Sequence, residues 1–155
     1  MAKDLPPNFF GPYKVNHFTD SDGDGDNWIF DSEPIANDDG EKSAAEIKFR
    51  FQKVPEGLES NDFPETKWET CSASGFQVND ISNPEKIGND LYQPTLYKCS
   101  FALDGMPKQE LYVIHAIHQT RKDVGIEVVL IANSDIFSKV EKDFQTFMKS
   151  LSFEL

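Results

Sequence analysis

Cations are scarce in this 155-residue chain: 15 Lys and Arg stand against 27 Asp and Glu, a formal charge of −12. A protein that holds nucleic acid or an anionic membrane by neutralising phosphates needs the opposite balance, so both partner classes are disfavoured. Long apolar runs are missing as well, and none approaches the roughly 18 residues of a membrane-spanning helix. Residues 1–10 have neither the basic start nor the apolar stretch of a signal peptide. Two expectations follow: a cytoplasmic protein, or an exported one, periplasmic or extracellular, whose leader is not in this sequence. Cysteine is limited to Cys71 and Cys99, with no CxxC pair, so no redox or cysteine-zinc motif is present. The two thiols either close a loop in an oxidising compartment or stay reduced, and both readings stand. Histidine is limited to His17, His115 and His118. On a strand the last two face opposite ways, and any Ser-His or Cys-His set would have to bring distant residues together, so no enzymatic activity is expected.

What is there suffices for one core. The chain is 38% hydrophobic, with 13 Phe, and its length suits a single domain spanning 1–155. Its clearest patterning is C-terminal. Leu96 to Leu103 and Leu111 to Gln119 are β-rich runs joined through Asp104-Gly105-Met106-Pro107, which predicts a hairpin. Ile126 to Ala132 is apolar except for Glu127 and predicts a central strand covered on both faces. Ser134 or Asp135 is placed to cap a helix in which Ile136, Phe137, Val140, Phe144, Phe147, Met148 and Leu151 form one apolar stripe. Upstream, Ile47, Phe49 and Phe51 alternate with Lys48, Arg50 and Gln52, so Ala45 to Val54 reads as a strand with a buried face and a basic, watery one. Residues 1–44 read as an acidic, loop-rich segment in front of a sheet and helix over 45–155. Ser60 to Thr70 and Asn79 to Asn89 read as loop or short helix.

Charge is least balanced near the N-terminus. From Val15 to Glu41 there is no Lys or Arg, yet nine acids crowd the segment. Asp20, Asp22, Asp24 and Asp26 alternate with small residues, and Asp31 and Glu33 follow. A hard dication takes six to eight oxygens, and a curling loop with glycines can turn alternate carboxylates inward, so these six residues are the candidate metal ligands and calcium the candidate ion. Without a metal, the same run is a solvated acidic loop. Trp28, Ile29 and Phe30, directly after it, are expected to anchor the loop to the core.

Residues 20–33 resemble the calcium loops of EF-hand proteins and of thrombospondin type 3 and dockerin repeats. Two registers fit that resemblance. In one, Asp20, Asp22 and Asp24 lead, Gly25 takes the turn and Asp31 the twelfth place, with Asn27 where the EF-hand has an apolar residue. In the other, Asp22, Asp24 and Asp26 lead, Asn27 takes the turn, Ile29 the apolar place and Glu33 the twelfth. Pro12 and Pro34 flank the loop where an EF-hand has helices, so the resemblance implies a calcium loop on another scaffold.

The last sixty or so residues resemble a fold group. The strands Leu111 to Ile117 and Ile126 to Ala132, the helix Phe137 to Leu151 and the closing Ser150 to Phe153 are similar in order to the C-terminal half of the PsbP, Mog1 and DcrB-like proteins. That resemblance implies an α+β fold, an antiparallel β-sheet packed by helices as a PsbP/Mog1-like sandwich, used as a binding or accessory subunit. Two functions are expected. The first is a non-enzymatic calcium-binding accessory or protein-binding module whose aspartate loop is ordered by the metal, which favours export. The alternative is a cytosolic bacterial accessory or immunity-type protein that meets a basic partner through its acidic surface without metal.

Overall fold

In the computed structural model, residues 14–21, 23, 25–54, 77–82, 91–102, 104–120 and 123–149 are described. Among them the chain forms β1 (Lys14–Thr19), β2 (Gly25–Asp31), β3 (Ile35–Ala36), β4 (Lys42–Ser43), β5 (Glu46–Lys53), β6 (Gln77–Ser82), β7 (Leu91–Phe101), β8 (Gln109–His118), β9 (Val124–Asn133) and a helix, α1 (Ser134–Lys149). Seven strands make one sheet in the order β1-β2-β5-β9-β8-β7-β6, and β3 pairs only with β4. Every pairing is antiparallel. Among the described residues the architecture is α+β, mostly antiparallel sheet with one C-terminal helix. No described helix is long and apolar enough to cross a membrane.

The patterned segments fold as their periodicity predicts. β9 is the middle strand, and its even residues Ile126, Val128 and Leu130 have no exposed surface. β5 alternates, with Ile47, Phe49 and Phe51 buried on the same face. Helix α1 lays Ile136, Phe137, Val140, Phe144, Phe147 and Met148 across that face. Each such burial stabilises by about 1.5–3 kcal/mol relative to exposure. A polar clamp adds direction: Tyr112 Oη and Lys98 Nζ both donate to Glu141 Oε1, at 2.7 and 3.0 Å. The Tyr112 hydrogen bond first, then that of Lys98, holds the Glu141 carboxyl below its ordinary range. The opposite face carries a second apolar cluster of Tyr97, Cys99, Leu111, Val113 and Ile131.

Four expectations are corrected. The segment from Lys14 to Asp31 is a hairpin that extends the sheet and not a loop, with β2 paired along its length to β5. Asp and Gly are poor strand formers, but here the open edge of β5 supplies a partner and the alternation in β2 sends Trp28 and Phe30 towards the core. Gln77 to Ser82 is likewise a strand, because the β7 edge pairs it despite its polar sequence. The outer face of β5 is half-buried and ion-paired, with Arg50 held by Asp20. Neither expected cap acts as one. The Ser134 hydroxyl makes no hydrogen bond among the described residues, its amide donates to the Lys108 carbonyl at 2.9 Å, and Asp135 accepts from Asn37. The expectations for Ser60 to Thr70, for Cys71, for residues 83–89 of the Asn79 to Asn89 segment and for residues from Ser150 onward lie outside the described residues.

Candidate functional site

The acidic stretch is the β1–β2 connection. Thr19 pairs with Asp26, the Asp20 amide donates to the Gly25 carbonyl at 2.8 Å, and the Gly23 amide returns to the Asp20 carbonyl at 2.9 Å. Gly23 takes φ 79°, a left-handed conformation that glycine adopts without penalty. Gly25 serves a different need. A methyl at this position would overlap Asp20 Oδ2 and lie 2.7 Å from Arg50 Nη2, so the missing side chain is what lets Arg50 reach across the strand to Asp20.

The candidate ligands separate. Asp20 accepts from Arg50 Nη2 through Oδ2 and from Asn27 Nδ2 at 2.8 Å through Oδ1, so both of its oxygens face donors of this chain. Asp26 pairs with His17, whose ring stacks on Trp28 with centroids 3.9 Å apart. Asp31 lies at the far end of β2, opposite Lys14 and Glu46. Glu33 is exposed beyond the strand. Asp22 and Asp24 lie outside the described residues. An extended strand rises about 3.3 Å per residue, which puts Asp31 about 20 Å along β2 from Gly25 and its partner Asp20. In this conformation neither twelve-residue register closes, because a strand occupies the second half of the loop. No group of three or more His, Cys, Asp or Glu suited to a metal occurs among the described residues.

What the fold does bring together is a polar row that sequence reading missed. On the face turned away from α1, Asn27, Arg50, Glu127 and His115 are successive cross-strand partners on β2, β5, β9 and β8. Asp20 joins one end through Arg50; at the other, His115 Nε2 lies 2.7 Å from Glu127 Oε2 and the Tyr97 ring meets the imidazole edge to face at 5.5 Å. His115 has no exposed surface. It offers no face to a substrate in this conformation. The signal in the sequence was the lone acid of an otherwise apolar strand. As the odd spacing predicts, His118 lies on the opposite face, buried, with Nδ1 3.2 Å from the Thr120 amide.

A second carboxylate pair lies near the end of the same face. Burial is the largest cause lifting the Glu46 carboxyl above its ordinary value; Lys48, 3.8 Å away, opposes it, and Asp31 adds a hydrogen bond and like charge. A carboxyl raised on folding contributes stability that is present below its unfolded pKa and lost as pH rises through the folded one. Glu46→Gln keeps the shape and removes the titration. It is expected to unfold at a higher temperature than wild type at neutral pH and to lose that advantage below about pH 4. Thermal scans at the two pH values check this, and a neutral-pH midpoint at or below wild type would refute it.

The other described acids of residues 32–41 are outward. The β3–β4 connection is braced on α1: Asn37 Nδ2 donates to Asp135 Oδ2 at 2.7 Å, Lys139 Nζ donates to the Ala36 carbonyl at 2.7 Å, and Asn37 Oδ1 accepts the amides of Asp39 and Glu41 at 2.9 Å. Asp38 is 98% exposed, and Asp39, Glu41 and Glu33 are exposed with it. No protein-family model matches the chain, and no curated protein is significantly similar to it.

Proposed function

We propose that this protein is a non-enzymatic binding module, built on a PsbP/Mog1/DcrB-like sheet, that takes a basic protein partner through its acidic surface and needs no metal to do so. The observation that carries this reading is the sorting of the acids. Asp20 and Asp26 are paired within the hairpin, with Arg50 and His17, whereas Asp38, Asp39 and Glu41 are held outward on a connection braced to the helix, with Lys139 as the cation beside Asp38 at 3.5 Å. A preorganised patch of net negative charge steers an oppositely charged partner and makes the encounter sensitive to salt. The test uses two synthetic peptides, acetyl-KVKVTVKV-amide and its counterpart with Glu for Lys. The lysine peptide is expected to bind at low salt and be released at high salt, with affinity about tenfold lower for the Asp38→Asn/Asp39→Asn/Glu41→Asn variant. Equal binding of the glutamate peptide would sink the reading.

A calcium site at the hairpin tip is the second reading, favoured by the left-handed Gly23 and the tight Asp20 to Gly25 turn. It requires Asp20 to exchange Arg50 for the ion. Thermal unfolding in chelator and in calcium decides between the two, with Asp22→Ala/Asp24→Ala as the control. A calcium-dependent rise that the double variant loses would establish the site; the metal-free reading expects the same midpoint in both.

A further inference from the structure

Aspartate is followed by glycine at four places in the chain: Asp22-Gly23, Asp24-Gly25, Asp39-Gly40 and Asp104-Gly105. Such a step is chemically weak, because glycine has no side chain to keep its amide nitrogen away from the preceding carboxyl carbon. Whether the nitrogen can make that approach depends on what else holds it. Gly23 donates its amide to the Asp20 carbonyl at 2.9 Å, and Gly25 is buried in β2. The turn around Gly40 is fastened on Asn37. The Gly40 amide donates to the Asn37 carbonyl at 3.1 Å, and the Asp39 and Glu41 amides both donate to Asn37 Oδ1 at 2.9 Å. Asp104-Gly105 differs. Both residues are exposed in the β7–β8 turn, and among the described residues neither the Asp104 carboxyl nor the Gly105 amide has a hydrogen-bond partner. A side chain built on Gly105 would meet nothing within 4 Å, so the space beside its backbone is open.

We infer that Asp104 is a site of isoaspartate formation in the folded protein, and that the Asn37 turn protects Asp39 from the same reaction. The Gly105 amide nitrogen attacks Cγ of Asp104, a C–N bond forms, and the carboxyl hydroxyl leaves with the amide proton as water, which closes a succinimide ring. Water then adds to one of the two ring carbonyls. Cleavage of the bond from nitrogen to Cγ restores aspartate. Cleavage of the bond from nitrogen to the Asp104 backbone carbonyl carbon leaves the chain running through Cβ and Cγ, with the former backbone carbonyl as a free carboxylate. No oxidant or enzyme is required. The product keeps the fold, because Phe101 and Gln109 close the ladder before the turn and the extra backbone atom is taken up outside the sheet. This inference stands independently of the acidic-surface reading.

The experiment holds the folded full chain for weeks in neutral buffer and measures isoaspartate at each step by peptide mapping with mass spectrometry. Labelled methyl transfer from S-adenosylmethionine by an isoaspartyl methyltransferase gives a second count. Isoaspartate is expected at Asp104 at about ten times its level at Asp39, because the Asp39 step must first break its hydrogen bonds to Asn37. Asn37→Ala, which removes the Oδ1 acceptor, is expected to raise the Asp39 level severalfold and leave Asp104 unchanged. In urea, where no fold holds either turn, the two levels should converge. No isoaspartate at Asp104, or as much at Asp39, in the folded chain would overturn the inference. A preference for Asp104 that survives unfolding would overturn it as well, since flanking sequence and not the fold would then set the rate. Should Asn37→Ala fail to fold, the folded and unfolded patterns of the unmodified chain decide.

Discussion

Phe49→Ala is expected to remove about 3–5 kcal/mol of stability and to lower the unfolding midpoint by on the order of 10 °C. Phe49 is 1% exposed at the centre of β5, between cross-strand partners Trp28 and Val128. Its ring meets Phe30 of the N-terminal hairpin edge-on at 5.7 Å and Phe147 of α1 at 6.1 Å. Truncation therefore opens a void where hairpin, sheet and helix meet. Walls contributed by three elements collapse only in part, which places the cost at the high end for a lost side chain. Phe18→Ala, on the exposed edge, is the matched control and should stay within about 0.5 kcal/mol of wild type. Chemical denaturation of the two variants checks both values, and a loss under about 1 kcal/mol at Phe49 would contradict its place in the core.

Breaking the polar row should cost nearly as much. Glu127→Leu leaves Nε2 of the fully buried His115 without the carboxylate 2.7 Å away, and removes the acid opposite Arg50 on β5. Stranding one member of a buried pair costs about 2–4 kcal/mol, because the remaining polar group has lost water and gained nothing. Adding His115→Leu should recover part of that loss, since two apolar side chains of similar size suit a face that already holds Tyr97 and Val113. The coupling energy from the double-mutant cycle is the readout. If the two losses simply add, the pair does not act as a unit. A larger loss in the double variant would mean that His115 is held chiefly by its contact with Tyr97.

Much of the fold was legible because period and burial coincide. The β7–β8 hairpin, the central β9, the alternating β5 and the stripe of α1 each bury one regular face, so their residue spacing carries the answer. The hairpin from Lys14 to Asp31 was not legible. Its aspartates and glycines read as a loop, and its partner, the edge of β5, begins 15 residues downstream of the end of β2. Only the sheet decides that Asp20 meets Arg50, thirty positions away, and that Asp26 meets His17. The same holds for β6, whose polar residues become a strand through pairing with β7.

By itself, then, the sequence determined the charge, the apolar alternation and the C-terminal stripe, because these are properties of residue identity and local spacing. Which carboxylates converge was decided by tertiary structure. A run of alternating acids is compatible with a loop that turns them all inward around an ion, or with a strand that sends them to opposite faces, and composition is the same in both. The open edge of β5 and the guanidinium of Arg50 favour the strand: pairing satisfies the backbone along β2, and one cation of the chain takes the place at Asp20 that an ion would have filled.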